Sequence, residues 1–147
     1  MVDNSQLEPV TQVLDAYKAA VFAKDVDALV ALYDQNVCVF DMWSKWSYDG
    51  LDAWRGAVTD WFGSLGSDRV AVEFEEVQTI MAQEVAIVHA FVIYKGVSAE
   101  GEALALRAMT NRLTWALGQK GGDWKIVHEH TSAPVNFKTA KVTTIRL

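Results

Sequence analysis

The chain carries a single cysteine, Cys38, so no disulfide can form within it. It has no run of Lys or Arg, and acidic residues outnumber basic ones 19 to 13, for a net charge of −6. Phosphate backbones and anionic membrane surfaces both call for a basic patch, which argues against nucleic acid and membrane as partners. No stretch approaches the length of an apolar membrane span, and Met1 to Gln12 lacks the apolar core of a signal peptide. A cytoplasmic location is the expectation. Linkers, repeats and low-complexity segments are also missing, so residues 1–147 read as one domain. A domain of this size hides roughly two-thirds of its unfolded surface. What the chain has in quantity is aromatic side chain: six Trp, six Phe and four Tyr. Such rigid, amphipathic groups line cores and ligand pockets alike.

Apolar spacing divides the chain into elements. Leu7, Val10, Leu14, Tyr17 and Val21 fall at helical intervals. Asp25 reads as the N-cap of a second helix running through Ala28, Leu29, Leu32 and Tyr33 and ending near Gln35 and Asn36. Val37 to Met42 is short and rich in β-branched and aromatic residues, hence a strand. Trp43 to Asp49 has no period and reads as a loop. Asp49-Gly50 opens a third helix with Leu51, Trp54, Val58, Trp61 and Leu65 on one face. The period then changes to two. Val70, Val72 and Phe74 form one apolar row, which moves to Val77, Thr79 and Met81 and so predicts a bulge near Glu76. Three further strands follow: Glu84 to Tyr94, Ala103 to Leu117, and Trp124 to Ala133, ended by Pro134. The order ααβαββββ, with short turns between the last four strands, predicts an α+β fold. A curved antiparallel sheet folds over the helices and leaves a hollow between the layers.

Two segments carry a family likeness. Ala23-Lys24-Asp25-Val26-Asp27-Ala28-Leu29-Val30-Ala31-Leu32-Tyr33 resembles the second helix of ketosteroid isomerase-like proteins. Asp123-Trp124-Lys125-Ile126-Val127-His128-Glu129-His130-Thr131-Ser132-Ala133-Pro134 resembles the last strand of SnoaL-like proteins. That strand is also similar to the association domain of calmodulin-dependent kinase II. The resemblance covers nearly the whole chain and implies the cone-shaped, cystatin-like fold of the nuclear transport factor 2-like superfamily. It implies no single reaction, because the fold hosts isomerases, cyclases, dehydratases and modules without catalysis.

Several residues are candidates for chemistry. Asp41 shares a strand face with Val37 and Val39, where lost hydration raises a carboxyl pKa and suits a proton-abstracting base. The resemblance places it at the general-base position of ketosteroid isomerases. Its structural alternative is a strand-end cap or a partner for an Arg. Tyr17 lies on the apolar stripe of the first helix, and the resemblance implies an oxyanion-binding role. The alternative is a core Tyr bonded to a backbone carbonyl or a water. The isomerase pattern also wants a protonated acid on the long strand, and none stands around Arg112-Leu113-Thr114.

By alternation from Trp124 and Ile126, His128, His130 and Ser132 face the hollow. The two imidazoles could bind a metal with Asp41 as third ligand, but hydrogen bonding or proton relay by His130 is the preferred reading, with no metal and no cofactor. Resemblance to the kinase association domain implies a pocket-facing Arg112, which would favour a carboxylate ligand. The alternative is an ion pair with Asp41 or an outer Glu. Asn111 and Arg107, on the opposite face, are then solvent or interface residues. His89 reads as core or interface, and Cys38 as a small buried hydrophobe. Trp43, Trp46, Trp54 and Trp61 are candidates for the pocket mouth and wall.

Two functions fit. One is a cofactor-free isomerase, lyase or cyclase in which Asp41, Tyr17 and His130 act on a small apolar carbonyl or carboxylate compound. The other is a non-catalytic module binding an apolar acid through Arg112. The strand Glu84 to Tyr94 is apolar on both faces and predicts a homodimer through the sheet.

Overall fold

The computed structural model describes residues 4–146, with the side chains of residues 4–6 and 105–107 left undescribed. Helices α1 (Asn4–Ala23) and α2 (Val26–Val30) precede strand β1 (Tyr33–Phe40) and a two-residue strand β2 (Tyr48–Asp49). Helix α3 (Leu51–Ser64) follows, then β3 (Arg69–Met81), β4 (Val85–Val97), β5 (Ala103–Lys120) and β6 (Asp123–Ser132). The expected α+β architecture holds, with β2 added inside the segment read as a loop. The Asp25 carboxylate caps α2 by accepting from the Ala28 N–H at 3.0 Å, which satisfies one orphan donor of the first turn. That helix is shorter than its spacing predicts. Tyr33 pairs with Ile126, and the Ile126 N–H donates to the Leu32 carbonyl, so sheet pairing overrides local helical preference.

The strands form one curved, unclosed sheet in the order β2-β1-β6-β5-β4-β3. From β3 to β6 the chain is an antiparallel meander, whereas β1 lies parallel to β6. The sheet is therefore mixed rather than wholly antiparallel. Hairpin logic binds only strands joined by short turns, and β1 reaches β6 through α3 and the whole meander. On the concave face, Val10, Leu14, Tyr17 and Val21 of α1 join Val37, Val39, Leu113, Trp115, Leu117 and Ile126 in one buried cluster. Each fully buried side chain of this kind contributes about 1.5–3 kcal/mol.

Two bulges set which side chains enter the hollow. The first is the one expected near Glu76: the register slips between Glu75 and Gln78, and Glu76 has φ 53°. The second lies in β6. Leu117 pairs with Ile126 but Ala116 pairs with His128, so Val127 is an extra residue. Its side chain takes the space over Gly118, where an added Cβ would stand 3.1 Å from Val127 Cγ1. Beyond this bulge the alternation is inverted. Glu129 and Thr131 point into the core, and His128 and His130 point out.

After β6 the chain continues as an extended tail. Val135 bridges Val142, and the Thr110 N–H donates to the Thr144 carbonyl at 2.7 Å. Arg146 then lies over the Phe91 ring at 3.8 Å and pairs with Glu75 and Glu76, which ties the tail to the convex face.

Candidate active site

A cavity of about 660 Å³ opens between the helices and the sheet. Tyr17 of α1 and Trp54, Ala57, Val58 and Trp61 of α3 line one side, and Asp41, Tyr94, Met109, Asn111 and Glu129 line the other. The walls are mainly aromatic and aliphatic, with a few convergent polar groups, the usual make-up of a small-molecule site.

Those polar groups form three hydrogen-bonded sets. Glu129 is 2% exposed, and its Oε1 accepts from the Tyr33 hydroxyl at 2.6 Å and from the Trp115 indole N–H at 2.8 Å. Asp41 stands just beyond β1, where Oδ1 accepts from the Thr131 hydroxyl at 3.0 Å and Oδ2 from the Trp43 N–H at 3.3 Å. The Tyr17 and Tyr94 hydroxyls share a 2.9 Å hydrogen bond, with Tyr94 close enough to feel the charges of Glu129 and Asp41. Two buried polar atoms in the cavity-lining residues, Trp54 Nε1 and Asn111 Oδ1, have no hydrogen-bond partner among the described residues. The Trp54 N–H leans toward the Tyr33 hydroxyl and eases its ionisation, without reaching hydrogen-bond geometry.

Burial separates the two carboxyls. Loss of hydration pushes Glu129 up to about 7; the Tyr33 and Trp115 donors oppose the shift, and the Asp41 charge adds to it. Asp41 is also raised by burial, but its Thr131 and Trp43 donors favour the charged form, and it keeps partial solvent access. Glu129 thus keeps its proton below about pH 7 and loses it through that range, while Asp41, held toward the charged form by its donors, is the stronger acid, a division that suits acid–base chemistry. Burial drives Tyr17 and Tyr94 well above the ordinary phenol range, so both stay protonated donors.

Of the residues expected at the site, Asp41, Tyr17, Trp43, Trp54 and Trp61 line the cavity. Trp46 does not; it is 97% exposed. His128, His130 and Ser132 lie on the convex face, because the Val127 bulge moves each β6 residue beyond it to the opposite side; Arg112 lies there too, because on β5 it alternates with buried Asn111 and Leu113 and pairs with Ser132. There His128 Nδ1 meets the Cys38 carbonyl at 2.7 Å, both imidazoles stand edge-on to Phe40, and Arg112 Nε donates to Ser132 Oγ at 3.1 Å. His130 therefore cannot relay protons to Asp41, and Arg112 cannot hold a ligand in the hollow. Among the described residues no group of three potential ligands can hold a metal ion.

Asn111, expected at solvent, is buried in the cavity wall, while the Arg107 side chain lies outside the described ones. His89 is exposed rather than core, and half-buried Cys38 donates weakly to Asp49 at 3.5 Å. Glu129 is the acid that sequence reasoning missed. It comes from the last strand rather than the long one, and Gly118, inside a strand, was the signal for the bulge that turns it inward.

A curved, unclosed sheet packed over N-terminal helices is the cystatin-like, nuclear transport factor 2-like fold. Solved structures of the same fold include a nuclear transport factor 2-like protein of unknown function from Pseudomonas putida, at TM-score 0.83 and 20% identity over 98% of this chain and 97% of that one. Another is Aln2 from a Streptomyces species, at TM-score 0.78 and 13% identity over 90% and 93% of the two chains. A third is a cystatin-like protein from Caulobacter vibrioides, at TM-score 0.70 and 15% identity over 87% and 89%. Among curated proteins none matches this chain in sequence. The SnoaL-like domain pattern matches residues 10–136, and the chain belongs to that family.

Proposed function

We propose that this chain is a cofactor-free acid–base enzyme, an isomerase, lyase or cyclase acting on a small apolar carbonyl compound, and that it works in the cytoplasm as a homodimer. The observation that carries the reading is the pair of carboxyls with unlike environments, Asp41 and Glu129, in one largely apolar cavity. Ionised Asp41 takes a proton from the carbon next to the carbonyl. The C–H electron pair becomes a carbon–carbon double bond, and the carbonyl oxygen takes the proton held by Glu129. With Glu129 Oε1 already accepting two hydrogen bonds, that proton sits on Oε2. The enol then returns its O–H proton to Glu129 and re-forms the carbonyl. With a β,γ-unsaturated substrate the shifting double bond takes the Asp41 proton at the γ-carbon, an isomerisation; with a β-substituted one the substituent departs with its bonding pair and that proton, an elimination. The Tyr17–Tyr94 pair uses one hydroxyl hydrogen internally and leaves the other for the developing oxyanion. A carboxylate ligand has less support, since Arg112 faces away and two acids line the wall.

Hydrogen exchange on 2-tetralone in D2O, followed by proton NMR, tests the proposal. The wild-type protein should exchange the α-hydrogens above the buffer rate, and Asp41→Asn should lose roughly 10²–10⁴-fold of that rate. Binding of the ketone without exchange would instead identify a ligand-binding module with no turnover.

A further inference from the structure

Asn111 is an amide in an apolar row. Its cross-strand neighbour on β4 is Val92, and Phe74 of β3 lies next in line. It is 5% exposed, lines the cavity, and has an unpartnered Oδ1 among the described residues. Buried polar groups without partners are rare and costly in native proteins. Valine or leucine would fill the same place without that cost.

Strand register places the amide relative to the acids. Thr131, which bonds Asp41, pairs with Leu113, and Glu129 pairs with Trp115. Asn111 lies two and four residues further along β5, roughly 7 and 13 Å at the rise of a β-strand. Tyr94, Met109 and Thr144 also line the cavity, and the Thr144 carbonyl bonds the Thr110 N–H beside Asn111. Thr144 stands beyond residue 136, where the match to the family pattern stops.

We infer that Asn111 is a specificity-determining contact at the far end of the cavity, reading a hydroxyl group on a substrate whose carbonyl lies between Asp41 and Glu129. This rests on the acid–base reading of the same cavity and adds the shape of the substrate: an elongated hydroxy-ketone with its two oxygens on the order of 10 Å apart. A hydroxyl can both donate to and accept from a primary amide, and rotation about the last side-chain torsion turns Oδ1 toward the ligand.

The ketones 4-acetyl-4′-hydroxybiphenyl and 4-acetylbiphenyl differ only in a distal hydroxyl and make a matched pair of probes. In tryptophan-fluorescence titrations the hydroxylated ketone should bind wild type about tenfold more tightly. In Asn111→Leu the preference should vanish, with 4-acetylbiphenyl bound as well as before or better. Without ligand that variant should melt at or above the wild-type temperature, since it loses an unpaired carbonyl. If Asn111→Leu does not fold, Asn111→Ala carries the same comparison. Equal affinities in wild type, a preference that survives the substitution, or failure of both ketones to bind would overturn the inference. None of these outcomes bears on α-hydrogen exchange with 2-tetralone, which has no distal hydroxyl and reports on the acid–base reading alone.

Discussion

Glu129 binds its proton more tightly in the folded protein than in the unfolded chain. Its value rises from 4.5 to about 7, so the native state holds the extra proton between those limits. Stability therefore falls as pH rises from 4.5 through about 7 and is level above that. The full loss is about 3 kcal/mol. Glu129→Gln keeps an oxygen for Tyr33 and Trp115 but has no proton to lose. Thermal melts from pH 5 to 8 should slope downward in wild type and stay nearly flat in this variant. Asp41→Asn should leave stability within about 1 kcal/mol of wild type, because the amide retains an acceptor for Thr131 or Trp43. At this scale the sequence was legible where periodicity ran unbroken. The apolar row of Val37 and Val39 carries Asp41 inward, and the stripe of α1 carries Tyr17 inward. It was illegible at Glu129, because nothing in the residue itself, between two histidines, marks it as facing the core.

One inserted residue in β6 decides that facing. Val127 lies over Gly118, and a side chain at Gly118 would press on it. Gly118→Val should destabilise the protein by about 1–3 kcal/mol, and Val127→Ala in the same chain should recover part of the loss, as a double-mutant cycle by thermal or urea unfolding would measure. Strict alternation from Ile126 sends His128 and His130 inward; the bulge reverses them and with them the whole polar centre. The bulge near Glu76 was legible because the apolar row visibly changes parity there, whereas β6 shows no such change in its residue types. The loop after Asp41 divides likewise. Trp43 lines the cavity with Trp54 and Trp61, and Trp46 stands in solvent, so Trp43→Phe should reduce a ligand-induced fluorescence change that Trp46→Phe leaves intact.

The architecture of the whole molecule follows from the helix-to-meander order, and that much was readable from spacing alone. The parallel placement of β1 against β6 was not, since it joins segments about ninety residues apart and no turn between them fixes their direction. The convex face keeps apolar side chains in contact with water: Ile80 is 65% and Val85 48% exposed, with half-buried Ile87 and Phe91 beside them. A second copy packed on that face would cover them. Sedimentation at micromolar concentration should show twice the 16.3 kDa chain mass, and Ile80→Glu should return it to a single chain. No helix among the described residues is long and apolar enough to cross a membrane.

The proposed chemistry needs a protonated Glu129 beside an ionised Asp41 in the same cavity. Carbon-13 NMR of the Glu129 and Asp41 carboxyl carbons, followed from pH 3 to 9 in wild type and in the two amide variants, reads that state directly. Glu129 should titrate near pH 7, with Asp41 ionising at lower pH and its signal moving again as Glu129 loses its proton. A Glu129 signal already that of a carboxylate at pH 5 would contradict the account.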